Sequence, residues 1–265
     1  MGAIPVREYG STGPIVVLVH GGPGAPGYMA PVARELASEF RVLEPLQRAS
    51  GGESLTVAVH LADLSGVVES YADGPVSLVG SSWGAMLALA YAAAQPARAR
   101  GVVAIGCGTF DEASRSLYKQ TLNDRMSAEL QEELRRIETS VADPDERLRR
   151  RAELLLPVYS YRLMSSDLEM EAVDARSNQE TWADMLRLQE QGIYPQAFRS
   201  IEAPVLMLHG ARDPHPGRQI SASLARYVRR LEYQEWEECG HYPWLEREVR
   251  TSFFARLSSQ LREWS

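Results

Sequence analysis

A serine hydroxyl attacks a carbonyl only when a base takes its proton, a carboxylate steadies that base, and N–H donors receive the developing negative charge. This sequence of 265 residues holds a candidate for each part. Gly80-Ser81-Ser82-Trp83-Gly84 fits the spacing G-x-S-x-G with Ser82 at its centre, whereas Ser81 would have Val79 and Trp83 in the glycine positions. Small residues there let a strand turn at once into a helix. The central hydroxyl is then raised at a helix N-terminus, whose dipole favours negative charge. Ser82 is the candidate nucleophile, and Ser81 is expected to pack or to make a local hydrogen bond.

Five histidines could serve as base: His20, His60, His209, His215 and His241. His20 opens "HGGPG" after an apolar run, His60 lies in a helical pattern, His209 ends a second apolar run, and His215 stands between two prolines. His241 lies in "ECGHYPWLE", a loop with glycine before the imidazole and proline after it. On a parallel α/β sheet the order along the chain is serine, acid, histidine, which selects His241. Asp213, in "HGARDPHPG", follows an apolar run at the rim where strand C-terminal ends gather. Asp111 and Glu112 are the alternative acids, and Asp213 could also form an Asx turn before Pro214. "HGGPG" supplies backbone donors, so the N–H groups of Gly22 and Trp83 are the candidate oxyanion hole.

These residues need a frame. "PIVVLVH", "FRVLEPL", "VSLVG", "GVVAIG" and "PVLMLHG" read as strands, most of them buried on both faces, and the alternating "LEYQEWE" reads as a strand nearer an edge. Helical patterns cover Ala30 to Ser38, Val57 to Tyr71, Ala85 to Ala94, Gly217 to Arg229 and Leu245 to Trp264. The expected fold class is α/β, a mostly parallel sheet flanked by helices. Between Asp111 and Arg199 the patterns are charged amphipathic helices, one starting at Asp143-Pro144. The expected organisation is a core of residues 1–110 and 200–265 with a helical cap inserted at 111–199. The charge runs of the cap read as solvated helix faces.

Hydrophobic residues make up 45% and the net charge is −7, which suits a folded protein and argues against a nucleic-acid partner. Cys107 and Cys239 match no zinc spacing and read as buried reduced thiols. No metal or other cofactor is implied. The first residues hold no apolar run of signal-peptide length and no stretch approaches a membrane span, so the expectation is a cytoplasmic protein with a small-molecule substrate.

With "HGGPG", "SSWGAMLALAYA", "HGARD" and "GHYPWLE" in that order, the chain resembles the α/β-hydrolase superfamily, and within it the prolyl iminopeptidase-like branch. The resemblance covers about Ala3 to Gly108 and Ala203 to the end, and implies an α/β-hydrolase fold with the Ser82, Asp213, His241 triad. It departs from that branch where "GGSWG" is replaced by Gly80-Ser81-Ser82-Trp83-Gly84. A second departure is the loop after Pro45, "PLQRASGGES", which keeps Gln47, Arg48 and Ser54 of a "DQRGxGxS" pattern. The leading expectation is a serine hydrolase of small esters, lactones or amides. The alternatives are an aminopeptidase that holds a substrate amine with cap carboxylates, drawn from Glu169, Glu171, Asp174, Glu180 and Asp184, and a hydrolase-fold small-molecule receptor. Tyr159, Tyr161, Trp182, Met164 and Met185 are candidate pocket-lining residues.

Overall fold

The computed structural model of the protein describes residues 3–166 and 168–265. Its elements are β1 (Val6–Tyr9), β2 (Ile15–Val19), α1 (Ala30–Leu36), β3 (Arg41–Pro45), α2 (Val57–Tyr71), β4 (Val76–Ser81), α3 (Trp83–Ala94) and β5 (Ala99–Ile105). Four helices follow, α4 (Glu112–Arg125), α5 (Ala128–Ser140), α6 (Pro144–Tyr159) and α7 (Ala175–Glu190). The chain then adds β6 (Val205–Gly210), α8 (Gly217–Leu224), β7 (Leu231–Trp236) and α9 (Arg250–Glu263). The sheet order is β1-β3-β2-β4-β5-β6-β7, parallel except for β1, which pairs antiparallel with β3.

Strand residues alternate between two cores. Val17, Val19, Leu78, Val102 and Met207 face one core, with α2, α3 and α8. Val16, Leu18, Val79, Val103 and Leu208 face the other, with α1 and α9. Helix α3 is apolar on every side and buried from Trp83 to Ala92, as a helix at the centre of an α/β layer must be. β7 is an edge strand, in keeping with its alternating sequence.

Several boundaries differ from the sequence reading. β1 had no strand assignment; it is four residues long, half-buried and held only on one side, so its apolar signal is short. α8 ends at Leu224 rather than at Arg229, and α9 begins at Arg250, because Pro243–Leu245 forms a separate 3₁₀ turn. The insertion between β5 and β6 carries α4–α7. Asp143 caps α6, its side chain accepting from the Asp145 N–H at 3.1 Å.

The close approach of β2 and α3 requires glycine. A Cβ on Gly84 would overlap the Val19 carbonyl oxygen and lie 2.6 Å from that of His20, both of them backbone atoms that cannot swing away. Gly84→Ala is expected to destabilise the fold by about 3 kcal/mol or more, at the upper end of core overpacking. For a chain of this size that lowers the melting temperature by roughly 6 °C or more. A melting temperature equal to that of the parent would show that β2 and α3 can separate without cost.

Candidate active site

Ser82 joins β4 to α3 in a conformation that few non-glycine residues adopt, with φ 55° and ψ −119°. Its N–H donates to the Ile105 carbonyl at 2.8 Å, fixing the turn against β5. Strain held by such surroundings is typical of functional positions. Ser81, by contrast, ends β4 with a fully buried hydroxyl that has no hydrogen-bond partner among the described residues.

His241 lies beyond β7, with its N–H donating to the Tyr159 carbonyl of α6 at 2.7 Å. Its Nδ1 is 2.5 Å from Asp213 Oδ2. Asp213 follows β6 and is buried. Since a carboxylate only accepts, Nδ1 carries the proton and Nε2 of the neutral ring is left as an acceptor. Ser82 and His241 line one cavity of about 110 Å³. Among the described residues no hydrogen bond joins them; a catalytic contact of this kind commonly tightens only when substrate binds. Gly22 lines the same cavity with φ 76°. Trp83 is the first residue of α3, where the helix leaves its own N–H groups unused.

The alternative acids are engaged elsewhere. Asp111 caps α4, accepting from the Ser114 N–H at 2.8 Å and the Ser114 hydroxyl at 2.9 Å. Glu112 is exposed and pairs with Arg115 at 3.1 Å. The suggested lining residues are also placed elsewhere. Trp182 packs edge-on against Trp83, Met185 is buried in the core, Met164 is exposed, and Tyr161 lies under Arg212. Tyr159 meets the His241 ring edge-on without lining the cavity. The walls come instead from Leu148 and Ala152 of α6 and from Leu168, Met170 and Val173 ahead of α7. Those last three also wall a larger outer cleft of about 570 Å³.

The alpha/beta hydrolase family model matches residues 16–251. The chain belongs to the alpha/beta hydrolase family. No curated protein matches the hydrolase in sequence. Among solved structures, VinJ is 20% identical, covering 100% of this chain and 98% of its own, with a TM-score of 0.71. A candidate aryl esterase from Burkholderia cenocepacia is 18% identical over 99% and 97%, with a TM-score of 0.70. A thermophilic esterase from Thermogutta terrifontis is 21% identical over 98% and 92%, with a TM-score of 0.62. At these identities the likeness shows the fold. Among the described residues of the hydrolase, no helix is long and apolar enough to cross a membrane.

Four residues of the hydrolase position the site without having been singled out for it. The Tyr28 hydroxyl accepts from the Gly21 N–H at 2.7 Å and donates to the Ser81 carbonyl at 3.3 Å, tying "HGGPG" to the serine turn. Gln47 does the same from the loop after β3, donating to the His20 carbonyl and accepting from the Trp83 indole at 2.9 Å. The buried Glu246 carboxylate accepts from the N–H groups of Gly240, Tyr161 and Arg162 at 2.9, 2.7 and 2.6 Å, pinning the His241 loop to the segment after α6. His215 donates to Asp213 Oδ1 through Nδ1 and through its backbone N–H, each at 2.9 Å. The Asx turn suggested by the sequence therefore coexists with the His241 contact. Gln47 and Glu246 stand within quoted motifs, but no spacing reveals their partners.

Charge at the site follows from burial and neighbours. Burial opposes ionisation of Asp213, yet the imidazoles of His241, His215 and His209 around it hold its carboxyl well below the usual carboxylate range. Asp213, His215 and His241 together offer three potential metal-ligand atoms within 4.8 Å of one another. Cys107 and Cys239 are both buried and unbridged.

Two further histidines make stability depend on pH. Burial pushes the imidazoles of His20 and His60 down to about 4, from an ordinary 6.5. Between those values the unfolded chain binds more protons than the folded one. Their contribution is therefore complete above about pH 6.5 and is lost as pH falls toward 4. The expected loss is on the order of 2–3 kcal/mol per histidine, seen as a falling urea midpoint. His60→Gln, which keeps a partner for the Thr181 hydroxyl, should flatten the slope. A midpoint that stays level over this range would rule out both imidazoles as the cause.

Proposed function

We propose that this hydrolase cleaves small carboxylic esters through an acyl-enzyme on Ser82. His241 Nε2 takes the serine proton as Oγ attacks the carbonyl, and the N–H groups of Gly22 and Trp83 receive the oxyanion. The imidazolium, steadied by Asp213, then protonates the leaving alkoxide. Water hydrolyses the acyl-enzyme by the same route in reverse roles. The observation that carries this reading is the 2.5 Å bond from His241 Nδ1 to Asp213 Oδ2, made by an imidazole that shares a cavity with Ser82.

The size and lining of that cavity favour a short acyl chain. Leu148, Ala152, Leu168, Met170 and Val173 are all apolar, and among the described residues no carboxylate lines it. An aminopeptidase needs a negative group for the substrate amine, and the five cap acids considered for that role are occupied. Asp174, Glu180 and Asp184 accept from the backbone N–H groups of Ser50, Leu55 and Val57, at 2.6, 2.8 and 2.8 Å. Glu169 pairs with Arg34 at 2.6 Å and Glu171 pairs with Arg7. Nitrophenyl esters of increasing chain length, run beside proline nitroanilide, test the reading. The expected result is multiple turnover on esters of a few carbons, a steep loss for long chains, and no anilide cleavage. Anilide turnover exceeding that of every ester would establish the aminopeptidase. A single slow turnover on all of them would favour a receptor.

A further inference from the structure

Asp213 carries more imidazole than the chemistry above uses. Each of its oxygens faces an Nδ1, that of His241 at 2.5 Å and that of His215 at 2.9 Å. The two rings stack, with centroids 5.1 Å apart and planes 26° from parallel, so both nitrogens converge on one carboxylate. Tyr118 covers the other face of His215 at 4.3 Å. Two imidazole nitrogens and a carboxylate oxygen are a ligand set suited to zinc and its neighbours in the transition series, with water completing a tetrahedron.

We propose that Asp213, His215 and His241 form a site for a divalent transition metal, zinc by its ligand chemistry, whose occupation switches the hydrolase off. The ligand atoms lie within 4.8 Å of one another. Closing that spread to the roughly 3.4 Å edge of a zinc tetrahedron requires ring tilts, and His215 is partly exposed and can make them. Access does not pass through the Ser82 cavity. A separate cleft of about 380 Å³, with Glu235 and Glu237 in its walls, opens on Asp213 and His215.

Inhibition follows from the tautomer. Metal bound at Nδ1 displaces the proton there, and a neutral imidazole then carries its proton on Nε2. The proton is relocated through solvent, with none gained or lost by the ring. His241 Nε2 becomes a donor and cannot accept from Ser82. Substrate can still enter, so zinc lowers kcat and saturating ester does not relieve it. This consequence rests on the mechanism proposed above; metal binding itself does not.

Cobalt(II) titrated into the metal-free full-length protein tests binding directly by its visible absorption. The expected result is a saturable band at one cobalt per chain. His215→Phe, which keeps a ring against Tyr118, should raise the half-saturating concentration at least about tenfold, while Ser82→Ala leaves it unchanged. His215→Asn is the second variant should the phenylalanine form fail to fold, as judged by thermal melting. Zinc should inhibit ester turnover reversibly on chelation, at concentrations raised in parallel by His215→Phe. No cobalt band, or a band undiminished in both His215 variants, would overturn the site. Cobalt binding with no effect of zinc on turnover would overturn the switch. Turnover that survives Ser82→Ala beside a normal cobalt band would refute the serine mechanism and leave the metal site standing.

Discussion

Ser82→Ala is expected to lower kcat on a short-chain ester by a factor on the order of 10⁶ and to leave the melting temperature nearly unchanged. The hydroxyl occupies a strained turn set by its neighbours. The Ser82 N–H bond to Ile105 and the glycine contacts at 80 and 84 involve the backbone, which alanine retains. What disappears is the hydroxyl that faces the His241 cavity at the N-terminus of α3. Residual rate would come from the oxyanion donors acting on water. Labelling by a fluorophosphonate should vanish in parallel. Turnover surviving in the variant would remove Ser82 from the reaction, and Ser81 could not replace it, since its hydroxyl is enclosed at the end of β4.

The second large effect is expected at Asp213→Asn, a fall in kcat of about 10⁴ with little change in KM. Asp213 accepts on both oxygens, from His241 at one and from His215 at the other. An asparagine has one oxygen and one NH₂, so it cannot accept at both positions. If its NH₂ faces His241, the ring must place its proton on Nε2 and cannot act as base. If its NH₂ faces His215, donors oppose each other on that side and the side chain loses its hold. Asp111→Asn and Glu112→Gln are the controls, and both should keep full turnover because those carboxylates serve the start of α4 and Arg115. A kcat for Asp213→Asn within tenfold of the parent would mean that His241 is oriented by something else.

Much of the architecture was legible because it is written in local patterns. The apolar runs of β2, β4, β5 and β6 and the all-apolar α3 show up in windows of a few residues, and the strand-to-helix glycines mark the Ser82 turn. β1 was not legible, since four half-buried residues carry no periodic signal. The end of α8 and the start of α9 were misplaced because apolar residues continue past the helix into turns that pack on the core.

The cavity was the least legible part. The lining expected from bulky cap residues, Trp182 and Met185 among them, belongs to the packing of α7 on the core, while Leu148, Ala152 and Met170 form the walls. Which face of a cap helix meets Ser82 depends on how that helix docks. The docking is set by contacts such as Glu246 with the Tyr161 and Arg162 amides, or Asp174 with that of Ser50, between residues 84–124 positions apart.

The sequence by itself determined the strand and helix order and the three residues to ask about, because strand period, helix period and glycine spacing are short-range properties. Only the tertiary structure decided that Asp213 and His241 meet at 2.5 Å, that His215 shares the same carboxylate, and that the cavity beside Ser82 is small and walled by apolar side chains of the cap. Those facts depend on loops brought together by sheet closure and cap docking. No local pattern encodes a distance between side chains that the chain separates by many residues.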